Sequence, residues 1–284
     1  MDQRIIDLYD RYTHGALTRR AFLDRLAALA GGTAAAAVLL PLLQNDYARA
    51  ETVPEGDPRL TTEMIDIPGI ASGLKGYLAK PKAGEKFPAV IVVHENRGLN
   101  PHIKDIARRL ALEGFAAVAI DYLSPLGGTP ADEDKAREMI GTLKLDDVIA
   151  WSRGAVATIV ARQDTTDDIG AIGFCWGGGV VGELAAAEPD LDAAVAYYGR
   201  QPAPEKVAGI AAPLLLHYAG LDERINAGIP AFEEALKRAK KTYELHMYEG
   251  VNHAFNNDTG SRYDKAAADL AWGRTVAFLK KYVH

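Results

Sequence analysis

The chain's single cysteine lies in Gly173-Phe174-Cys175-Trp176-Gly177, directly after an apolar run and before a stretch rich in small residues. Glycines at this spacing mark a strand-to-helix turn so tight that side chains at 173 and 177 would strike neighbouring backbone. The residue between them is forced into a strained conformation. A thiol held there stands at a helix N-terminus, where the dipole lowers its pKa and the backbone N–H of Trp176 can bind an oxyanion. Taken alone, the pattern equally describes a close-packed glycine turn without chemistry. Two later residues extend it: Asp222, in Gly220-Leu221-Asp222 after the apolar run 213–219, and His253, in Gly250-Val251-Asn252-His253 after the run 243–248. Separately, a loop aspartate is a cap or turn residue and a loop histidine a solvated one. Together, in the order nucleophile, acid, histidine and each after a strand, they describe a thiol whose proton His253 takes. Asp222 then fixes the imidazole tautomer and stabilises the imidazolium. His94-Glu95-Asn96-Arg97-Gly98 follows the first buried run. That loop can supply a second oxyanion N–H, with Asn96 the candidate, and it sets Glu95 beside the oxyanion hole.

Positioning such groups requires a sheet. Apolar runs at 89–93, 116–120, 169–174, 193–198 and 213–219 are nearly continuous, as expected of strands buried on both faces. Residues 64–67 and 74–79, with Gly69, Ser72 and Gly73 between them, read as a hairpin, and 243–248 as a last strand. Helical patterns alternate with the strands. Asn100-Pro101 supplies an N-cap and first-turn proline for a helix ending at Gly114. Further helices fit 132–140, 147–161, 230–241 and 263–282. The alternation predicts an α/β chain with a mostly parallel, doubly wound sheet, an N-terminal hairpin and helices on both faces. Catalytic groups then belong at the carboxyl ends of the strands.

The 284 residues carry a net charge of −6, with no Lys/Arg stretch dense enough to follow a phosphate backbone, which excludes a nucleic-acid role. One cysteine excludes an intramolecular disulfide. Composition is that of an ordinary globular chain, long enough for one sizeable core.

Residues 1–50 stand apart from the catalytic segment 51–284. Thr18-Arg19-Arg20-Ala21-Phe22-Leu23 precedes an uncharged, alanine-rich run at 26–45, and Ala48-Arg49-Ala50 has the form of a signal-peptidase site. This resembles a twin-arginine export signal, which would deliver a protein starting at Glu51 to the periplasm. The segment also parses as retained helices of a cytoplasmic protein: Ile5, Leu8, Tyr9 and Tyr12 recur at helical spacing, Gly15 suits a helix end and Thr18 suits a cap. A helical arm would serve packing or a homodimer. A stable membrane span is the weakest reading, because alanine, glycine and Pro41 contribute little transfer energy over so short a run.

From Val92 onward the chain resembles the dienelactone hydrolase family, through His94-Glu95 followed by Arg97-Gly98, the cysteine elbow 173–177, Asp222, and His253-Ala254-Phe255. The resemblance spans about residues 60–284. It implies an α/β-hydrolase fold, a Cys175-His253-Asp222 triad, no metal and no organic cofactor. It also implies a Glu95 carboxylate that contacts the resting thiol and helps activate it when substrate binds. Studied members bind a carboxylate-bearing enol-lactone with two arginines. Arg137, before Glu138, matches one of them; the other falls on Asn257, leaving Arg97, Arg200, Arg224 or Arg262 to hold a carboxylate. The expected function is hydrolysis of a small ester or lactone through a cysteine acyl-enzyme. A peptidase or acyltransferase on the same fold, and a degenerate ligand-binding module, are the alternatives.

Overall fold

Each continuous apolar run forms a strand. The computed structural model describes residues 1–47, 51–68, 71 and 73–284. Within them β1 (Leu60–Asp66), β2 (Lys75–Pro81), β3 (Phe87–Val93), β4 (Ala116–Asp121), β5 (Thr165–Phe174), β6 (Ala193–Tyr197), β7 (Leu214–Ala219) and β8 (Tyr243–Tyr248) make one sheet, ordered β1-β2-β4-β3-β5-β6-β7-β8. β1 and β2 form the antiparallel hairpin, β2 pairs antiparallel with β4, and every later pairing is parallel. The hairpin's Gly69 and Ser72, and the Ala48-Arg49-Ala50 sequence, lie outside the described residues.

Strand periodicity divides the core between the two faces. Ala89, Ile91 and Val93 of β3 join Ala116, Val118 and Ile120 of β4 on one face. Val90, Val92, Ala117 and Ala119 point to the other. The first face is covered by α6 (Leu145–Val160), α7 (Trp176–Ala187) and α9 (Ile229–Arg238), the second by α4 (Pro101–Leu112) and α10 (Lys265–Tyr282). Asn100 caps α4 by accepting from the Ile103 amide at 3.1 Å, with Pro101 at the first helical position.

The first 47 residues form α1 (Gln3–Thr13), α2 (Arg19–Ala30) and α3 (Thr33–Leu43). Thr18 caps α2 through the Ala21 amide, and Gly15 sits at φ +80°. The alanine-rich run is not one helix. Gly31 and Gly32, at φ +86° and +144°, break it, and α2 and α3 meet at 113°. Among the described residues no single helix is long and apolar enough to cross a membrane. The three helices share a small core of Ile5, Leu8, Tyr9, Tyr12, Phe22, Leu26, Ala36 and Leu43, in which the Tyr12 and Phe22 rings stack at 4.5 Å.

This arm docks over the carboxyl edge of the sheet. Asp10 takes Arg262 at 2.5 Å, the Tyr12 hydroxyl donates to Asp134 at 2.5 Å, and Asn45 Nδ2 donates to Glu133 at 2.8 Å. The Arg137 guanidinium lies 4.3 Å over the Tyr12 ring. The arm reaches as far as Asn252, which pairs with Gln3 at 2.6 Å.

Two glycine substitutions separate close approach from simple flexibility. A Cβ on Gly177 would fall 2.4 Å from the Val93 carbonyl oxygen and 2.5 Å from that of His94, so Gly177→Ala is expected to destabilise by about 1–3 kcal/mol. Gly273, inside α10, has open space around it, so Gly273→Ala is expected to stabilise by about 0.5–1 kcal/mol. Urea unfolding of the two variants beside the parent checks both signs.

Candidate active site

Cys175 follows the last residue of β5 and precedes the first of α7, at φ 55°, ψ −115°. Few L-residues adopt this region, and the surroundings enforce it. A Cβ on Gly173 would lie 2.1 Å from the Gly177 carbonyl oxygen, so the turn closes only with hydrogen at that position. The Cys175 amide donates to Tyr197 O at 3.0 Å, and its carbonyl accepts from Gly179 at 3.2 Å. Trp176 opens α7, so its N–H has no partner within the helix and faces the same edge as the thiol. Its ring stacks on His94 at 5.3 Å, and His94 is pinned in turn by Nδ1 against Glu95 O at 2.6 Å. His94 is therefore a packing element of the loop.

Asp222 comes three residues after β7 and His253 five after β8. One Asp222 oxygen accepts from the Ile225 amide, capping the short helix α8 (Glu223–Asn226), and the other lies 2.5 Å from His253 Nδ1. Both residues are about 95% buried. Nδ1 is thereby held as the donor, leaving His253 Nε2 for the thiol, with no other hydrogen-bond partner among the described residues. Burial pushes the Cys175 thiol up, but the charges of His253 and His14 and the hydrogen bond with His14 outweigh it and hold it at about 6. Burial depresses His253, while the Cys175 and Asp222 charges raise it to about 10. The two shifts have one cause, each group favouring the charged form of the other.

A third group, His14, carries no signal in the local sequence. It caps the C-terminal end of α1, with Nε2 3.3 Å from Cys175 Sγ and its ring edge-on to His253 at 4.6 Å. Its Nδ1 lies 2.8 Å from the Asp10 carbonyl oxygen and 3.3 Å from Asp10 Oδ1. Asp10 is mostly buried; that cost is outweighed by His14, His253 and Arg262, which hold it well below the usual carboxylate range. Two carboxylate-backed imidazoles thus converge on one sulfur.

The other predicted residues lie nearby with different partners. Glu95 is 6% exposed; its Oε2 accepts from Asn257 Nδ2 at 2.6 Å, while Oε1 has no hydrogen-bond partner. The thiol's hydrogen-bond contact in this conformation is His14. Asn257, the departure from the family pattern, is the residue that orients Glu95. Asn96 Nδ2 donates to Thr13 O at 2.8 Å, and Arg137 Nη1 to Tyr12 O at 2.8 Å. Arg97 is buried between Tyr9, 3.4 Å from its hydroxyl, and Glu133, at 3.3 Å. Beside the arm opens a cavity of about 860 Å³, walled by His14, Cys175, Trp176, His253, Arg137 and Arg200 among others. A thiol and guanidinium groups line one cavity, an arrangement suited to nucleophilic attack on a small acyl compound.

Comparison with known proteins identifies the family. Residues 74–283 match the profile of the "Dienelactone hydrolase family", and residues 1–31 match a second one described as "YqhI-like". A Saccharolobus solfataricus protein described as "Putative carboxymethylenebutenolidase" is 34% identical over 73% of this chain and 94% of its own length. A protein of the same description from Escherichia coli K12 is 32% identical over 80% of the chain and 89% of its own. Among solved structures, the "Putative Dienelactone Hydrolase" of Klebsiella pneumoniae superimposes with a TM-score of 0.72 at 28% identity, covering 78% of this chain and 99% of its own. The chain belongs to the dienelactone hydrolase family of ester and lactone hydrolases.

Proposed function

We propose that the protein hydrolyses small esters or lactones through a thioester on Cys175, with His253 and Asp222 completing the triad. The observation that carries this reading is the strained Cys175 at the head of α7, facing an imidazole whose Nδ1 is held by a buried carboxylate. In this mechanism the thiolate attacks the acyl carbon, and the developing oxyanion is held by the Trp176 N–H together with an Asn96 N–H. His253, as imidazolium, gives its Nε2 proton to the departing alkoxide. It then takes a proton from the water that cleaves the thioester and returns the thiolate. Asp222 keeps the ring in one tautomer and offsets its charge.

The cavity's guanidinium groups, Arg137 with Arg200 and Arg224, favour an anionic substrate. In this reading Arg137 turns from the Tyr12 carbonyl to a substrate carboxylate, and Glu95, half satisfied by Asn257, is the acidic wall behind the attacked carbonyl.

Replacing Cys175 by Ala is expected to abolish burst hydrolysis of p-nitrophenyl acetate with an unchanged circular dichroism spectrum. Asp222→Asn is expected to lose about 10⁴ in kcat, as the same change does in serine protease triads. Activity of a few percent in the alanine variant would remove Cys175 from the reaction.

Acid dependence follows from the ion pair. Below about pH 6 the thiol is protonated and no nucleophile is present, so kcat/KM is expected to rise through that value. Above about pH 10 the imidazole is neutral and the leaving group has no acid, so the rate falls again. The upper limb is expected for alkyl esters and absent for p-nitrophenyl esters, whose leaving group needs no proton. Parallel pH profiles of the two substrates check this.

Arg137→Ala is expected to raise KM for carboxylate-bearing esters by about ten- to a hundredfold, one to two charge-assisted hydrogen bonds, and to leave neutral esters nearly unchanged. Steady-state kinetics on a matched pair of acid and amide substrates decides it; equal losses would make Arg137 a support for the arm.

A further inference from the structure

The arm gives the thiol a neighbour that the hydrolytic scheme does not need. We propose that His14, Cys175 and His253 form a zinc-binding site, completed by the N-terminal arm, and that zinc occupying it silences the thiol.

The three donor atoms lie within 4.8 Å of one another, and His14 Nε2 is already 3.3 Å from Sγ. A tetrahedral zinc with bonds of about 2.3 Å to sulfur and about 2.0 Å to nitrogen sets its donors about 3.6 Å apart, so closing the triangle takes movements near an ångström. The donor set suits the ion: a thiolate and two imidazoles are borderline-soft ligands of the kind zinc prefers to magnesium or calcium.

The surroundings of the imidazoles strengthen the assignment. A metal-binding histidine generally donates its other ring nitrogen to a carboxylate or carbonyl, which fixes the tautomer and aims the lone pair. Both histidines do so here: His253 Nδ1 against Asp222 at 2.5 Å, and His14 Nδ1 against the Asp10 carbonyl at 2.8 Å with the Asp10 carboxylate at 3.3 Å. His253 Nε2 is buried, with no hydrogen-bond partner among the described residues, beside the thiol. A hydrolytic triad accounts for one such buttressed imidazole. It gives no reason for a second, delivered by a helix 161 residues away in sequence. All three residues line the 860 Å³ cavity, so water or a small anion can reach the fourth coordination position.

Binding is an exchange. Zinc forms bonds to Sγ and the two Nε2 atoms, and the protons that the imidazoles share with the thiolate pass to solvent, so affinity rises with pH. No oxidation or reduction occurs. The bound sulfur gives up much of its charge to the ion, the ion stands in the path of an acyl carbon, and His253 Nε2 is no longer free to move a proton. This consequence for hydrolysis rests on the proposed function, whereas the binding itself does not.

Titration of the full-length protein with cobalt(II), a spectroscopic stand-in for zinc, is the direct test. One equivalent is expected to produce a sulfur-to-cobalt charge-transfer band in the near ultraviolet and intense tetrahedral bands in the visible, all bleached by zinc. Proton NMR of the cobalt form is expected to show two exchangeable, strongly shifted imidazole N–H signals, one from each histidine. Asp10→Asn, which keeps the ligand and removes its buttress, is expected to weaken zinc binding by about 10–100-fold, and His14→Gln by more. Absence of the charge-transfer band overturns the site. A single shifted N–H signal, or unchanged affinity in a folded His14→Gln variant, also overturns it, because the metal would then sit without the arm. The NMR count uses the unaltered protein and holds even if that variant does not fold. In the same samples, hydrolysis that stops at one equivalent of zinc supports the silencing. Hydrolysis that persists after one equivalent of zinc has bleached the cobalt bands leaves the metal site standing and overturns the silencing.

Discussion

The backbone of Cys175 is held where an L-residue does not rest by choice, and the surrounding packing is what keeps it there. The strain cannot relax because the turn is wedged between two backbones. Gly173 lies against the carbonyl of Gly177, and Gly177 against the carbonyls of Val93 and His94 at the end of β3. Those carbonyls are fixed by the parallel pairing of β3 with β5, Val93 opposite Gly173. The central sheet is thus the clamp on the nucleophile. Its near-total apolarity on both faces gives the clamp its stiffness, since a close-packed interior yields little to a local force.

From that fixed point the electrostatics follow. A fully buried thiol would ordinarily stay protonated, and the buried Asp222 and His253 would each lose stability alone. Placed together they offset that cost, since the imidazole favours the charged form of both the thiol and the carboxyl. The arm adds His14, whose Nδ1 lies 3.3 Å from the Asp10 carboxylate, and Asp10 is anchored outward to Arg262. The centre is therefore a short alternating chain of charges rather than an isolated ion pair, and it continues from the catalytic domain into the arm.

Much of this was legible in the sequence, and the reasons differ by element. The strands could be read because parallel strands buried on both faces are written as unbroken apolar runs such as 89–93 and 213–219. The elbow could be read because steric exclusion at two glycines leaves a fixed spacing. Asp222 and His253 could be located because chain order and strand ends constrain where such residues stand. The amphipathic face of α1 was also visible at Ile5, Leu8, Tyr9 and Tyr12, but not its destination. Nothing local to His14 records that Cys175 lies against it, because that contact is set by the docking of two folded pieces. The same holds for Asn257. Its type ruled out one expected guanidinium, yet its partnership with Glu95 depends on two loops meeting across the site.

The order in which these partners are synthesised adds a constraint of its own. The arm leaves the ribosome first, and its helices can gather around Phe22 and Leu26 at once, because their contacts are local. The anchors for Asp10 and Gln3, namely Arg262 and Asn252, appear about 250 residues later. At ribosomal rates of about 5–20 residues per second, that interval is on the order of tens of seconds. Through that interval the arm has only its mid-chain partners, Asn96, Glu133, Asp134 and Arg137, to lie against. The carboxylate behind the second imidazole gains its outward anchor only when the loop carrying Arg262 has been made.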